Sequence, residues 1–270
     1  STWTGLPAVA TAAAADNAGN TIAAANTTSL AALTTLAKTV AGWVSSADTD
    51  DYYKFTLSSL STVAFRLSGL NASDDAYLTL YNAAGTAIGS SALGTKLDPA
   101  SLVQNLASGT YYVDVSDVYG TGTGYSLLAT PTTLPNAAGT TLAAATTLGS
   151  LTTAAVSQSD WVGNAAPDDY YSFTLNAASA VSLNLTGLNL YGTVTLLDGA
   201  GNQISAVSYP GQTLTELATN LNAGTYYIHV NDTTDTTYTV AASATALPAA
   251  GGSSLASAQN LGTLGTVSTT

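Results

Sequence analysis

Apolar and polar positions alternate through most of this chain, and the alternation has a period of two. Tyr53, Phe55 and Leu57 are separated by polar neighbours. So are Val63, Phe65 and Leu67, then Leu78 and Leu80, and then, less cleanly, Tyr112, Val113 and Val115. Val181, Leu183 and Leu185 carry the same pattern in the second half. Neighbouring side chains on a strand point to opposite faces, so this period predicts strands buried on one face. Enrichment in Tyr, Val, Phe and Thr agrees. Gly85, Gly109, Gly201 and Gly224 fall between the runs and read as turns. Short strands spaced by about 8–12 residues predict a sandwich or jelly roll. The Ala-rich stretches from Ile22 to Ala25 and from Leu142 to Ala145 predict a helical turn.

The pattern repeats at domain scale. Asp50-Asp51-Tyr52-Tyr53-Lys54-Phe55-Thr56-Leu57 recurs as Asp168-Asp169-Tyr170-Tyr171-Ser172-Phe173-Thr174-Leu175. Trp43-Val44 recurs as Trp161-Val162, and Gly69-Leu70 as Gly187-Leu188. Gly109-Thr110-Tyr111-Tyr112-Val113-Asp114-Val115 recurs as Gly224-Thr225-Tyr226-Tyr227-Ile228-His229-Val230. A third opening begins at Gly252 and runs through Leu255, Leu261 and Leu264 to Thr270, with no further Asp-Asp-Tyr-Tyr. Leu134-Pro135 and Leu247-Pro248 mark the joints. The expectation is an all-β chain of two tandem β-sandwich, jelly-roll-like domains. An extension covers 1–15, the domains cover 16–133 and 134–246, and a partial third repeat covers 247–270. Repeats of this length are globular domains and not thin solenoid units.

Charge narrows the partners. Of 270 residues 7% are charged, with 4 Lys plus Arg against 16 Asp plus Glu, for a net charge of −12. Phosphate needs clusters of Lys and Arg, so nucleic acid is excluded as a partner, and anionic lipid with it. No apolar run is long enough to span a membrane. Cys is absent, which excludes disulfides and thiol chemistry. Met is absent too, which points to a processed or partial chain, and a low-charge surface of Thr, Ser, Asn and Gly suits an extracellular or assembled protein.

The ordered series Asp-Asp-Tyr-Tyr-x-Phe-Thr-Leu, Gly-Leu, Leu-x-Leu-Tyr with Asn-Ala-Ala-Gly, and Gly-Thr-Tyr-Tyr-Val-x-Val resembles the bacterial pre-peptidase C-terminal domain family. That family includes the collagen-binding domains of clostridial collagenases. The resemblance covers roughly 16–130 and 136–245. It implies a β-sandwich, secretion and a non-catalytic role beside proteases or in surface proteins. It also implies calcium in some members, held by acids of the domain opening together with Asp residues just before the Tyr-Tyr strand.

The residues themselves offer Asp48, Asp50 and Asp51 packed ahead of a strand, with Asp16 and Asn17 in the opening. Calcium wants six to eight hard oxygens, several from carboxylates, so these five are the candidate calcium ligands. The alternative is a solvated Asp-rich turn. Asp168 and Asp169 form a weaker counterpart, because Asn136 replaces Asp16 and Ala165-Ala166-Pro167 replaces the stretch holding Asp48. His229 is the lone histidine; a triad would need it with Asp232 or Asp235, no Gly-x-Ser-x-Gly elbow exists, and a strand-surface role is expected. Tyr52, Tyr111, Tyr170 and Tyr226 are the candidate outward aromatics of the four Tyr-Tyr pairs. Leu255, Leu261, Leu264 and Val267 would form an assembly tail able to add as a strand to another sheet. The expected function is a non-enzymatic extracellular structural subunit that joins its own kind head-to-tail. The alternative is a module that binds protein or polysaccharide within a larger secreted protease or adhesin.

Overall fold

The structure, a computed structural model, describes residues 18–72, 74–120, 122–188, 192–208 and 215–248. Asp16 and Asn17, expected as calcium ligands, and the expected assembly tail from Leu255 to Val267 lie outside the described residues. The chain divides into two compact units, through Ala137 and from Ala138 onward, save that Asp160–Pro167 and Asp232–Thr236 count with the first.

The first copy opens with a 3-10 turn, Ile22–Ala24, where the Ala-rich pattern asks for one. The Thr21 hydroxyl caps it by accepting from the Ala24 amide at 3.3 Å. Nine strands follow: β1 (Asn26–Leu33), β2 (Lys38–Val44), β3 (Asp50–Leu57), β4 (Ser61–Ser68), β5 (Ala76–Asn82), β6 (Ala87–Ser90), β7 (Ser101–Leu106), β8 (Gly109–Asp117) and β9 (Thr123–Thr133). They form two sheets, β1-β3-β8-β5-β6 and β2-β9-β4-β7. All pairings are antiparallel except β1 with β3, which is parallel and puts β1 on an edge.

Period two decides what lies between the sheets. Tyr53, Phe55, Leu57, Leu78, Leu80, Val113 and Val115 face inward from the first sheet, against Val40, Val44, Val63, Phe65, Leu67, Leu127 and Ala129 from the second. Phe55 and Phe65 meet across the layers with ring centroids 5.5 Å apart. Each such buried side chain contributes about 1.5–3 kcal/mol of transfer free energy, so this layer is what holds the sandwich closed.

The second copy repeats the plan. A 3-10 turn, Leu142–Ala144, precedes β10 (Thr146–Ser150), β11 (Val156–Val162), β12 (Asp168–Leu175), β13 (Ser179–Thr186), β14 (Thr193–Leu197), β15 (Gln203–Ser208), β16 (Thr215–Leu221), β17 (Gly224–Asn231) and β18 (Thr236–Ala246). Its sheets are β10-β12-β17-β14-β15 and β11-β18-β13-β16, and β10 again runs parallel to β12 on an edge. Gly69 and Gly187 of the repeated Gly-Leu pair have φ of 85° and 89°, a left-handed conformation that side chains resist.

Candidate functional site

Asp48, Asp50 and Asp51 are close in sequence but part company in space. Asp48 closes a tight turn with Ser45 through both of its backbone groups, and its Oδ1 accepts from Asn20 Nδ2 at 2.5 Å. Asp50 starts β3 on the outer face, where its Oδ2 accepts from the Thr49 hydroxyl at 2.5 Å. Asp51, one residue on, must point the other way. It enters the sandwich with 0% exposure. Asp51 therefore does not join a shared three-carboxylate site, and Asp169 is turned inward in the same way with 0% exposure. Among the described residues no three His, Cys, Asp or Glu side chains group closely enough to hold a metal ion.

The inward aspartates instead end a buried hydroxyl chain. Tyr125 donates its phenol proton to Asp51 Oδ2, and Tyr53 Oη lies 2.6 Å from Tyr125 Oη. With the Tyr125 proton committed to the carboxylate, Tyr53 must be the donor of the second bond. The second unit reproduces the chain: Tyr238 donates to Asp169 Oδ2 at 2.7 Å, and Tyr171 stands 2.8 Å from Tyr238. Burial, then the neighbouring Tyr and Asp, raise the phenols of Tyr125 and Tyr238 above their ordinary range. A buried carboxylate left without donors costs several kcal/mol, so each Tyr makes its Asp tolerable in the core. The sequence reading missed this pair. Its only signal was that Tyr125 and Tyr238 recur in the last strand of each copy.

The outer faces of the five-stranded sheets hold the second cluster. In the first unit Tyr52 pairs in register with Asp114, which pairs with Thr79 on its other side. The rings of Tyr52 and Tyr81 approach to 5.8 Å, and Asp114 is only 2% exposed. Ser116 Oγ donates to Asp114 Oδ2 at 2.8 Å. Burial pushes the Asp114 carboxyl up to about 7; Ser116 and Tyr52 oppose that push, and Asp50 adds to it. In the second unit His229 stands where Asp114 does. Its Nε2 lies 2.7 Å from Asp168 Oδ1, which also accepts from Asn231 Nδ2 at 2.9 Å. The imidazole stacks on Tyr170 with centroids 4.2 Å apart and planes at 6°. His229 thus pairs with Asp168, not with Asp232 or Asp235.

Two of the four outward aromatics are corrected. Tyr111 lies opposite Phe55 and stacks on it at 5.6 Å, and Tyr226 stacks on Phe173 at 5.7 Å. Both phenols donate to loop carbonyls, Tyr111 to Ala107 at 3.0 Å and Tyr226 to Asn222 at 3.1 Å. The cause is phase: Val113, Val115, Ile228 and Val230 point inward, so the residues two before Val113 and Ile228 do as well. Tyr112 and Tyr227 are the outer members, beside Tyr52 and Tyr170.

Residues 168–232 match the family described as Bacterial pre-peptidase C-terminal domain. The matched stretch lies in the second copy, and the first copy repeats its sequence pattern and its strand order. The pre-peptidase C-terminal domain of collagenase from Bacillus anthracis aligns at 20% identity over 37% of this chain and 93% of its own, with a TM-score of 0.31. The PBSX exported protein XepA aligns at 10% identity over 78% of this chain and 86% of its own, with a TM-score of 0.28. No curated protein matches the chain. The matched family is one of extracellular, non-catalytic modules. Among the described residues no helix is long and apolar enough to cross a membrane.

Proposed function

We propose that this tandem pair of pre-peptidase C-terminal-type sandwiches is a structural subunit of a secreted fibre or cell-surface assembly, joined head-to-tail through its terminal segments. The observation that carries the reading is the opening element of each unit. In the first, the Tyr52 amide donates to Gly19 O at 2.8 Å, the 3-10 turn follows, and β1 lies parallel to β3. In the second, Gly139 and Tyr170 exchange both backbone bonds, β10 lies parallel to β12, and the Leu151 amide donates to Thr174 O at 3.1 Å. Gly252, Leu255, Ala256, Ala258, Leu261, Gly262 and Leu264 repeat Gly139, Leu142, Ala143, Ala145, Leu148, Gly149 and Leu151 in order.

An element of this sequence docks along an Asp-Asp-Tyr-Tyr strand. The chain contains two such strands, β3 and β12, and each already has its own edge element. The third opening, continued by Val267, has the sequence of an edge element that another sheet could take. Adding a strand to a sheet edge supplies main-chain hydrogen bonds, and a head-to-tail contact that does not close builds a filament. Negative-stain electron microscopy of the purified protein tests this directly. Fibres are expected, and their persistence after deletion of 252–270 would remove the tail from the assembly. A chelator arm reports whether calcium around Asp48 and Asp50, with Asp16 and Asn17, takes part.

One observation favours a second reading. Tyr52, Tyr77, Tyr81 and Tyr112 share the outer face of the first five-stranded sheet, where aromatic rings suit the apolar faces of a polysaccharide or an extended protein segment. Isolated two-lobed particles and binding lost on Tyr112→Ala would favour that module.

A further inference from the structure

The first unit carries an apolar groove. The 3-10 turn and the β5–β6 hairpin turn wall it, with Ile22, Ala23, Ala84 and Gly85, while Lys54 and Tyr112 line its floor. The space is about 470 Å³, enough for a branched apolar side chain with a polar group beside it. Its walls are firm. Asn82 Oδ1 accepts from the amides of Ala84 and Thr86, both at 3.0 Å, and a Cβ on Gly85 would stand 3.3 Å from Ile22 Cδ1. Among the described residues no ion pair reaches Lys54, in a chain with only 4 Lys and Arg. Ser172 holds that position in the second copy.

The same unit carries a shape that fits. Leu97 is 93% exposed, the most exposed large apolar side chain among the described residues. It is held on a fixed turn, not on a loose loop. Thr95 Oγ1 accepts from the amides of Leu97 at 3.3 Å and Asp98 at 3.0 Å, and the Thr95 amide donates to Asp98 O at 2.8 Å. A pre-ordered knob loses little freedom on docking. Lys96 and Asp98, both exposed, flank it, and Asp98 is the one whose charge is opposite to that of Lys54.

Knob and groove sit at opposite ends of one strand. Gly94 exchanges both backbone bonds with Ala76, the first residue of β5, and so ties the knob to that end. The groove wall begins at Ala83, the residue after Asn82, which ends β5. At about 3.3 Å per residue the two are roughly 20 Å apart. A knob at one end and its receptor at the other cannot be satisfied within one unit.

We propose that Leu97 and Asp98 of one copy dock in the Ile22–Ala84–Lys54 groove of a second copy of this chain. Leucine fills the apolar space and the Asp98 carboxylate meets the Lys54 ammonium. The contact is heterologous, so it extends a filament wherever the rotation between successive copies does not close. It rests on the self-assembly reading above, and it adds a contact made by the first unit to the one made by the tail.

The chain has no cysteine, which permits a clean test. A chain carrying both Leu97→Cys and Ala84→Cys, oxidised with copper–phenanthroline, is expected to give a ladder of disulfide-linked dimers, trimers and longer species. A double variant that associates by sedimentation velocity but gives no ladder overturns the contact. Leu97→Asp alters only an exposed side chain and is expected to weaken association at least about tenfold. Lys54→Asp is expected to do the same, and Asp98→Lys added to it to restore association. If deletion of 252–270 abolishes assembly while Leu97→Asp leaves it unchanged, the tail reading stands and this one falls. If the unaltered chain stays monomeric at its highest soluble concentration, both fall.

Discussion

The two copies agree inside and disagree outside. Inside, Tyr53–Tyr125–Asp51 and Tyr171–Tyr238–Asp169 are the same chain of hydroxyls ending on the same buried carboxylate. Outside, the position held by Asp114 in the first copy is held by His229 in the second. There the first copy leaves two carboxylates, Asp50 and Asp114, acting on each other, while the second joins Asp168 to a nitrogen. A buried network has few solutions, because each polar group must find its partner inside the core. A partly solvated face has several, and the copies have taken different ones.

The largest effect that would break this comparison comes from Tyr125→Phe and Tyr238→Phe. Each removes the hydroxyl that serves a buried carboxylate and is expected to cost its own unit about 2–4 kcal/mol in denaturant unfolding. Equal losses sustain the equivalence; a loss in one unit alone ends it. A smaller contrast lies at the paired left-handed glycines. At Gly187 an added Cβ would stand 2.7 Å from the Thr237 carbonyl oxygen, whereas at Gly69 nothing comes nearer than 3.7 Å. Gly69→Ala is therefore expected to cost about 1 kcal/mol of conformational strain and Gly187→Ala about 2 kcal/mol or more.

Next in size is the pH response of the first unit. The folded state raises Asp114 from 3.8 to about 7, so its charged form destabilises that unit above pH 7, and the penalty fades as pH falls toward 4. Stability of the first unit is thus expected to rise on mild acidification. Asp114→Asn should flatten that slope and stabilise the unit at pH 8 by something on the order of 1–2 kcal/mol. A parallel profile in the variant would place the slope elsewhere. The smallest effect concerns calcium. With Asp51 and Asp169 turned into the cores, added calcium is expected to move the melting midpoint by less than about 2 °C. A larger shift abolished by Asp48→Asn would instead assign Asp48 to an ion.

The strands, their inward phase through Phe55, Phe65 and Val181, and the tandem plan were legible in the sequence, because burial on one face writes itself as alternation. The Ala-rich openings were legible as short helical turns. Asp51 was misread because adjacent carboxylates look the same on paper whether they converge or alternate. Its partner Tyr125 lies far along the chain, and nothing local announces the bond. Tyr111 was misread because either member of a Tyr-Tyr pair tolerates either face; Val113 and Val115 hold the answer. The parallel seat of β1 left no local trace, since pairing order belongs to the topology and not to any one segment.

The position of each unit's last strand has a consequence for how the protein is made. β9 lies between β2 and β4, and β18 lies between β11 and β13. Until that strand arrives, the first strand of the four-stranded sheet has no neighbour and the inner face of the five-stranded sheet is only half covered. Such long-range pairing is slow and waits for the distant segment. As the chain is synthesised from its N-terminus, each copy therefore stays open until its final strand has emerged.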